Sequence, residues 1–412
     1  MSRQRSLKVL MLASSYPRTQ EDSASVFLRH LAEALGDRGL QVHVLAPAEG
    51  QNETRVEGPV IVHRFQYLPV SWQRLAYGSG ILPNLQQNPW LWVQVPFFLT
   101  SMSYSLHRVI RTEEPDLIHA HWILPQGLIA VAAKYLYKLP VITTAHGTDT
   151  FALQARSANW VKRFVVAKSD AWTSNSHATS QAMGELPFPA ARIIPMGVNV
   201  RRFSSGEAAS LRRELPENEL LVLFVGRLIE NKGCHILLEA FSLLPADLRA
   251  RTTLWVIGNG QQRVPLEQQA KALAIFNKIR FWGDMSNDRL PDFYASADLF
   301  VAPSIEGASG SREGQGVVLL EASAAKLAAI ATKTGGMSEV IADGVTGLLV
   351  EAGDPKLLAA AIEKLLRDKR LRTRLAENAR NNVTSRYDWS NIAAQFEELY
   401  RQVCEDSSVV RP

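Results

Sequence analysis

The sequence predicts an α/β protein built from two doubly wound, Rossmann-like domains, on three observations. Its 412 residues exceed the roughly 250–300 at which a single hydrophobic core stops growing. Short apolar runs alternate with segments of helical period, the pattern of parallel strands joined by crossover helices. That alternation breaks once, near residue 197, and then restarts.

In the first domain, strands are expected at Leu7–Ala13, Gln41–Ala46, Val60–Phe65, Asp116–Ala120, Val141–Ala145 and Ala171–Ser174. Helices lie between most of them. Val26–Arg38 sets Phe27, Leu31 and Leu35 four apart on one face, and Gly36 with Gly39 marks its end. In the second domain the strands are Leu220–Val225, Thr253–Ile257, Ile279–Trp282, Leu299–Ala302, Ala329–Thr332 and Gly347–Val350. Both sheets are expected to be parallel and covered on both faces. Residues 193–203 and the polar stretch up to Pro216 read as the hinge, which puts the domains at 1–197 and 198–388. The segment 389–403 is an amphipathic helix, with Ile392, Phe396, Leu399 and Val403 on the side that needs a surface to cover.

Composition excludes several classes. With 46% apolar and 21% charged residues the chain is globular, neither disordered, collagen-like nor coiled-coil. Cys234 and Cys404 are the only cysteines, so neither a disulfide framework nor a thiolate zinc site is available, and a reducing cytoplasm is expected. The apolar start is interrupted by Lys8 and reads as a buried strand, not a signal peptide. No continuous apolar run of 18 residues is present, so no transmembrane helix is expected.

The net charge of +5 lies wholly in the first half, where 18 Lys and Arg face 13 Asp and Glu over residues 1–197. A basic half suits anionic lipid or an acidic substrate. Nucleic acid is not expected as a partner, because no basic run alternates with aromatics. From Leu75 to Leu106 there is no charge at all, and Trp90–Leu99 is rich in Trp and Phe. Beside a basic surface such a segment fits a peripheral membrane face, and equally it fits core packing.

The most informative chemistry lies at Glu313-Gly314-Gln315-Gly316-Val317-Val318-Leu319-Leu320-Glu321. A strand ends at Ala302, a long loop carries Glu313, and a helix opens near Gly316. Two carboxylates are thereby set at the carboxyl end of a parallel strand, where open α/β sheets bind ligands. They can hold sugar or ribose hydroxyls, or merely complement a helix dipole. Gly226-Arg227 through Lys232-Gly233 follows another strand, and two cations across a glycine-bounded loop can bind a diphosphate. It is not a Walker motif, and a solvated basic loop is the plain alternative. Gly258-Asn259-Gly260 and Thr334-Gly335-Gly336 are turns that let backbone approach a ligand. His119, His121 and Trp122, then His146 and Asp149, close two strands of the first domain. With no third or fourth ligand at suitable spacing, no metal site is expected there. GxSxG and HExxH are absent, which removes those hydrolase and metalloprotease readings.

Taken in order, Gly226-Arg227 with Lys232-Gly233, Gly258-Asn259-Gly260, Glu313 to Glu321, Gly335-Gly336 with Glu339, and Asp343-Gly344-Val345-Thr346-Gly347 resemble the family 4 glycosyltransferases, retaining enzymes of the GT-B architecture. His119-Ala120-His121-Trp122 with Pro125-Gln126-Gly127, His146-Gly147-Thr148-Asp149, and the hinge Ile194 to Asn199 are similar to elements of bacterial polysaccharide members. The resemblance covers nearly the whole chain and says little about the sugar.

It implies two domains facing a cleft, with the last helix crossing back to the first domain. It also implies a nucleoside-diphosphate sugar as donor substrate and a glycan or lipid-linked acceptor, with neither cofactor nor metal. Arg227 and Lys232 would bind the diphosphate, Glu321 the ribose and Glu313 the sugar hydroxyls. Gly226, Gly258, Gly260, Gly314, Gly316 and Val317 would complete the donor site. His146 would line the reaction centre, beside His119, His121, Trp122 and Asp149 on the acceptor side. The leaving phosphate would take the acceptor's proton as attack occurs on its own face of the sugar. Where family members carry a glycine pair after the first strand, this chain has Asp22-Ser23-Ala24-Ser25, and Met196 and Asn199 replace Asn and Asp in the hinge. Glu306 is a further carboxylate in the loop before Glu313. The competing readings are an inactive sugar-nucleotide-binding subunit and a GT-B-fold epimerase or phosphorylase, and retention of Arg227, Lys232, Glu313 and Glu321 together argues against the inactive subunit.

Overall fold

The computed structural model describes residues 6–19, 22, 25–78, 80–151, 154–184, 190–307 and 310–409. Ser23 and Ala24 of the loop singled out above lie outside them. The chain divides into two compact units, Met1–Asn175, Thr179–Ile194 and Trp389–Pro412 in the first, Ser176–Ala178 and Pro195–Asp388 in the second.

The first unit holds β1 (Lys8–Leu12), β2 (Gln41–Pro47), β3 (Glu53–Glu57), β4 (Val60–Phe65), β5 (Leu117–His121), β6 (Val141–Ala145), β7 (Ala171–Ser174) and β8 (Arg192–Ile193), ordered β3-β4-β2-β1-β5-β6-β7-β8. The register sets Leu10 opposite His43 on one side and Ile118 on the other. All pairings are parallel except β3 with β4, which corrects the expectation of a purely parallel sheet. Glu53–Glu57 is exposed on almost every residue and has no apolar alternation to betray a strand. Pairing through the tight turn at Gly58-Pro59 makes it an edge strand. Arg192–Ile193, at the start of the segment read as hinge from residue 193, adds a two-residue strand to β7.

The uncharged segment holds a short helix over Ile81–Gln87, a 3₁₀ turn over Pro89–Val93 and most of a helix over Gln94–Glu113, with Pro96 in the first turn, where it removes no helical hydrogen bond. Leu91 and Phe98 are buried, whereas Trp90 is 83% and Trp92 56% exposed. The segment is therefore partly core and partly surface. The helix Trp389–Val409 also belongs to this unit. Phe396 is fully buried, Arg38 reaches Glu397 at 2.7 Å, and Tyr400 hydrogen-bonds His119 at 2.7 Å.

The second unit holds β9 (Leu220–Val225), β10 (Thr252–Ile257), β11 (Ile279–Gly283), β12 (Leu299–Ala302), β13 (Ala329–Thr332) and β14 (Leu348–Val350), ordered β11-β10-β9-β12-β13-β14 and parallel throughout. Alternate strand residues serve two cores. Val222, Leu254, Val301 and Ile330 join Leu237, Leu238 and Ile362 on one face. Leu221, Trp255 and Phe300 join Phe293 and Leu319 on the other. Strand order reverses between β1 and β5 in the first sheet and between β9 and β12 in the second, the switch points where doubly wound sheets bind ligands.

Truncating Phe396 to Ala should cost about 3–5 kcal/mol, as expected for a buried aromatic. Calorimetry should show the transition of the first unit lowered and that of the second unchanged.

Candidate functional site

In the second unit, the loops after β9, β12 and β13 are drawn together at the carboxyl edge of the sheet. Gly233 has φ +67°, and a Cβ there would fall 1.9 Å from the carbonyl oxygen of Pro303. Ile305 N–H donates to the Asn231 carbonyl at 2.9 Å. At Gly335, φ +53°, a Cβ would fall as close to the Glu313 carbonyl oxygen, and Gly336 N–H donates to that oxygen at 3.0 Å. Only glycine permits such approach. The turn bearing Gly258 and Gly260 is tied to the β9 loop at Gly226 N–H to Ile257 O, 3.0 Å, and Leu228 N–H to Asn259 O, 2.8 Å. Gly314 accepts a hydrogen bond from the Ser176 hydroxyl at 2.7 Å.

These contacts place Lys232 and Glu313 in an ion pair, each side chain about a fifth exposed. Burial pushes the Glu313 carboxyl up. The opposing Lys232 charge and hydrogen bond, with Arg227 and the Gly316 N–H, hold it below the ordinary value. Arg227 is exposed, and its guanidinium has no ion pair or hydrogen bond among the described residues. Gly316, at φ +81°, precedes the helix Val317–Ala324, whose N-terminus has no side-chain cap. Glu321, further along this helix, accepts a hydrogen bond from Tyr294 at 2.7 Å. Burial pushes its carboxyl up to about 7, against the Tyr294 bond and the Arg202 charge. The sequence therefore placed these residues at one edge of the sheet, but it did not reveal that Lys232 and Glu313 pair with each other.

In the first unit, His121 and His146 close adjacent strands, and His121 Nδ1 lies 3.0 Å from His146 Nε2. The half-buried His146 ring sits 5.1 Å from those of Trp122 and Phe27. Trp122 has φ +74°, a conformation costly for a bulky side chain. Burial lowers the pKa of both His119 and His146 to about 3, so these rings are neutral.

Two acceptor-side expectations are corrected. His119 is fully buried, with Tyr400 on Nδ1 and Thr144 on Nε2 at 2.6 Å, so it has no ring nitrogen left for a ligand. Asp149 is buried and accepts from the N–H groups of Ile123 at 2.8 Å and His146 at 3.0 Å. It clamps the loops after β5 and β6 together. Burial raises its pKa, opposed by those N–H groups and by Lys162.

His43, His63 and Glu113 form a cluster with metal-ligand atoms, assembled by sheet register and unforeseen in the sequence. The facing His43 Nδ1 and His63 Nε2 are 3.0 Å apart, at hydrogen-bonding distance, with rings 9° from parallel. Sequence reasoning also missed Tyr294, which shares no spacing signal with Glu321. It missed Gln315 too, whose buried amide bonds Met196 N–H at 2.7 Å and Met196 O at 2.9 Å. The Glu339 carboxylate accepts from the N–H groups of His177 and Ala178, a capping role.

Two doubly wound units, one carrying a cation and carboxylate set at its switch point, are those of the GT-B architecture. Residues 24–202 match the family model described as Glycosyltransferase Family 4, and residues 208–382 match that described as Glycosyl transferases group 1. The chain belongs to the family 4 glycosyltransferases and is an enzyme of the hexosyltransferase type. It is 28% identical over 320 residues to N-acetyl-alpha-D-glucosaminyl L-malate synthase of Bacillus anthracis, covering 76% of this chain and 81% of that protein. Among solved structures, it is similar to sucrose-phosphate synthase of Thermosynechococcus elongatus, with TM-score 0.80, 22% identity and coverage of 97% and 100%. It is likewise similar to Anabaena HepE in complex with UDP-glucose, with TM-score 0.73, 21% identity and coverage of 96% and 100%.

A carboxyl raised in the native state favours folding when protonated, and that advantage is lost as pH rises from the ordinary range towards 7. Glu321→Gln should therefore gain thermal stability relative to the wild type as pH increases from about 4.5 to about 7. Calorimetry across that range checks it, and parallel curves would remove the raised carboxyl.

Proposed function

We propose that the enzyme transfers a sugar, with retention, from a nucleoside-diphosphate sugar to a hydroxyl of a glycan or lipid-linked acceptor, in cell-surface polysaccharide or glycolipid synthesis. The observation that carries this reading is the Lys232–Glu313 pair at the switch point of the second unit, beside Arg227, which has no ion pair among the described residues. A diphosphate offers Lys232 a stronger anionic partner. As the ammonium turns to it, Glu313 is released to accept sugar hydroxyls. Arg227 and the uncapped N–H groups of Val317 and Val318 supply further donors to the phosphates. Glu321 accepts from ribose.

In the transfer, the bond from the anomeric carbon to the diphosphate breaks as the acceptor oxygen bonds to that carbon on the same face, and the acceptor proton passes to the departing phosphate oxygen. Arg227 and Lys232 act chiefly on charge that develops on the leaving group. Protein cations fill the place a divalent ion would take, so the reaction is read as metal-independent. His146, Trp122 and His121 are read as lining the sugar and acceptor region of the first unit.

The acceptor is read as membrane-borne, with the enzyme peripheral at the cytoplasmic face. Trp90, Trp92, Val93 and Phe97 are exposed at the start of the helix Gln94–Glu113. Gln94 ties this start to the exposed Trp72 and Arg74, donating to Trp72 O at 2.8 Å and accepting from Arg74 N–H at 3.3 Å. Aromatic surface beside a cation suits an anionic bilayer interface. No helix among the described residues is long and apolar enough to cross a membrane.

Transfer should be sought with a panel of nucleotide sugars and lipid-linked acceptors in the presence of chelator. Arg227→Ala and Lys232→Ala should each lower turnover on the order of a hundredfold, about 3 kcal/mol, with little effect on folding. Wild-type turnover in both, or activity abolished by chelator and restored by magnesium or manganese, counts against the assignment.

The protein should also cosediment with anionic vesicles at low salt and lose that binding as salt is raised, since attraction beyond about 10 Å is screened near 0.1 M. The Trp90→Ser, Trp92→Ser double variant should bind weakly. Binding unchanged by the two substitutions removes this surface from the membrane.

A further inference from the structure

In the first unit, five buried polar atoms without a hydrogen-bond partner gather in the segments that end or follow three adjacent strands, β5, β6 and β7. They are His121 Nε2, both carboxamide atoms of Gln126, His146 Nδ1 and Asn175 Oδ1. The remaining such atoms among the described residues are scattered, three of them indole N–H groups. Gln126 is fully buried and Asn175 nearly so. The segments are locked to one another. Asp149 joins Ile123 to His146, His121 bonds His146, Asn175 Nδ2 donates to the His146 carbonyl at 3.4 Å, and Gly127 N–H donates to Trp122 O at 3.2 Å.

Buried polar groups are ordinarily satisfied, so several orphans at the ligand edge of one sheet call for a partner from outside the chain. Their chemistry selects its class. The Gln126 amide offers a donor and an acceptor, and Asn175 Oδ1 offers an acceptor. Each neutral imidazole offers one or the other. A phosphate or carboxylate would want donors only, and a cation acceptors only. A hydroxyl both donates and accepts, and a row of hydroxyls is what a sugar ring presents. Trp122 and His146, in the same segments, are half-buried.

We infer that Gln126 reads sugar hydroxyls, with Asn175 and the His121–His146 pair beside it, and is a specificity-determining residue for the saccharide bound to the first unit. The inference rests on the glycosyl-transfer reading. Gln126 reached the interior unpaired because a ligand completes it, so its amide does nothing for the fold of the free enzyme.

The test is Gln126→Leu, which keeps much of the volume and removes both orphan atoms. The expected result is a melting temperature equal to or above that of the wild type, an unchanged affinity for UDP measured by calorimetry, and a fall of at least tenfold in kcat/KM. That fall should be smaller for a substrate analogue lacking the hydroxyl that Gln126 contacts. A stabilising change that damages only substrate use is not what a structural glutamine produces. Melting several degrees below the wild type would show that Gln126 is bonded within the folded chain and overturn the inference. So would kcat/KM within twofold of the wild type. Absence of transfer by the wild type with every donor and acceptor pair would instead sink the glycosyl-transfer reading, and the melting comparison would then decide the role of Gln126 alone.

Discussion

Parallel pairing within each sheet is the constraint on which the other features depend. Because β9, β12 and β13 run the same way in register, the loops that follow them emerge at one edge, although they are separated by as many as a hundred residues of sequence. A parallel strand cannot return through a tight turn, so each crossover spends a helix, and the helices bury both sheet faces. What is left uncovered is the edge itself. There the chain presents glycine-rich backbone, unsatisfied helix N–H groups and charged side chains, and the close approaches at Gly233 and Gly335 draw these within reach of one another.

The same edge concentrates electrostatic cost. Glu313 and Glu321 sit on the two flanks of one glycine-bounded turn, yet burial has opposite outcomes for them. Glu313 meets Lys232 and remains ionised, while Glu321 meets only a tyrosine hydroxyl and a more distant arginine, and its carboxyl rises to about 7. In the first unit the equivalent edge carries histidines held uncharged by burial and carboxamide atoms without partners. One edge is organised around charge, the other around uncharged donors and acceptors.

The motif residues of the second unit were legible because their chemistry is local. Gly226 to Gly233 and Glu313 to Glu321 each lie in a single strand-to-helix connection, and strand ends are set by apolar runs that can be read directly. The first unit was less legible. His119 and His121 have the same residue type two positions apart, but one is saturated by Tyr400 and Thr144 and the other lies against His146. Asp149 read as a ligand-facing carboxylate and is a clamp between two loops. Glu53–Glu57 gave no strand signal because an exposed edge strand has no face that must be apolar.

What the amino-acid order determined by itself was periodicity: which runs are strands, which faces of helices are apolar, and which short segments bring glycine beside charge. Those properties follow from neighbouring side chains and local backbone geometry. Tertiary structure alone decided partnership. It paired Lys232 with Glu313 across 81 residues, Tyr294 with Glu321 across 27 and His119 with Tyr400 across 281, and it exposed Trp90 while burying Phe98. Burial and partners set whether a side chain is charged, bonded or available, and both depend on which distant segments the sheets bring into contact.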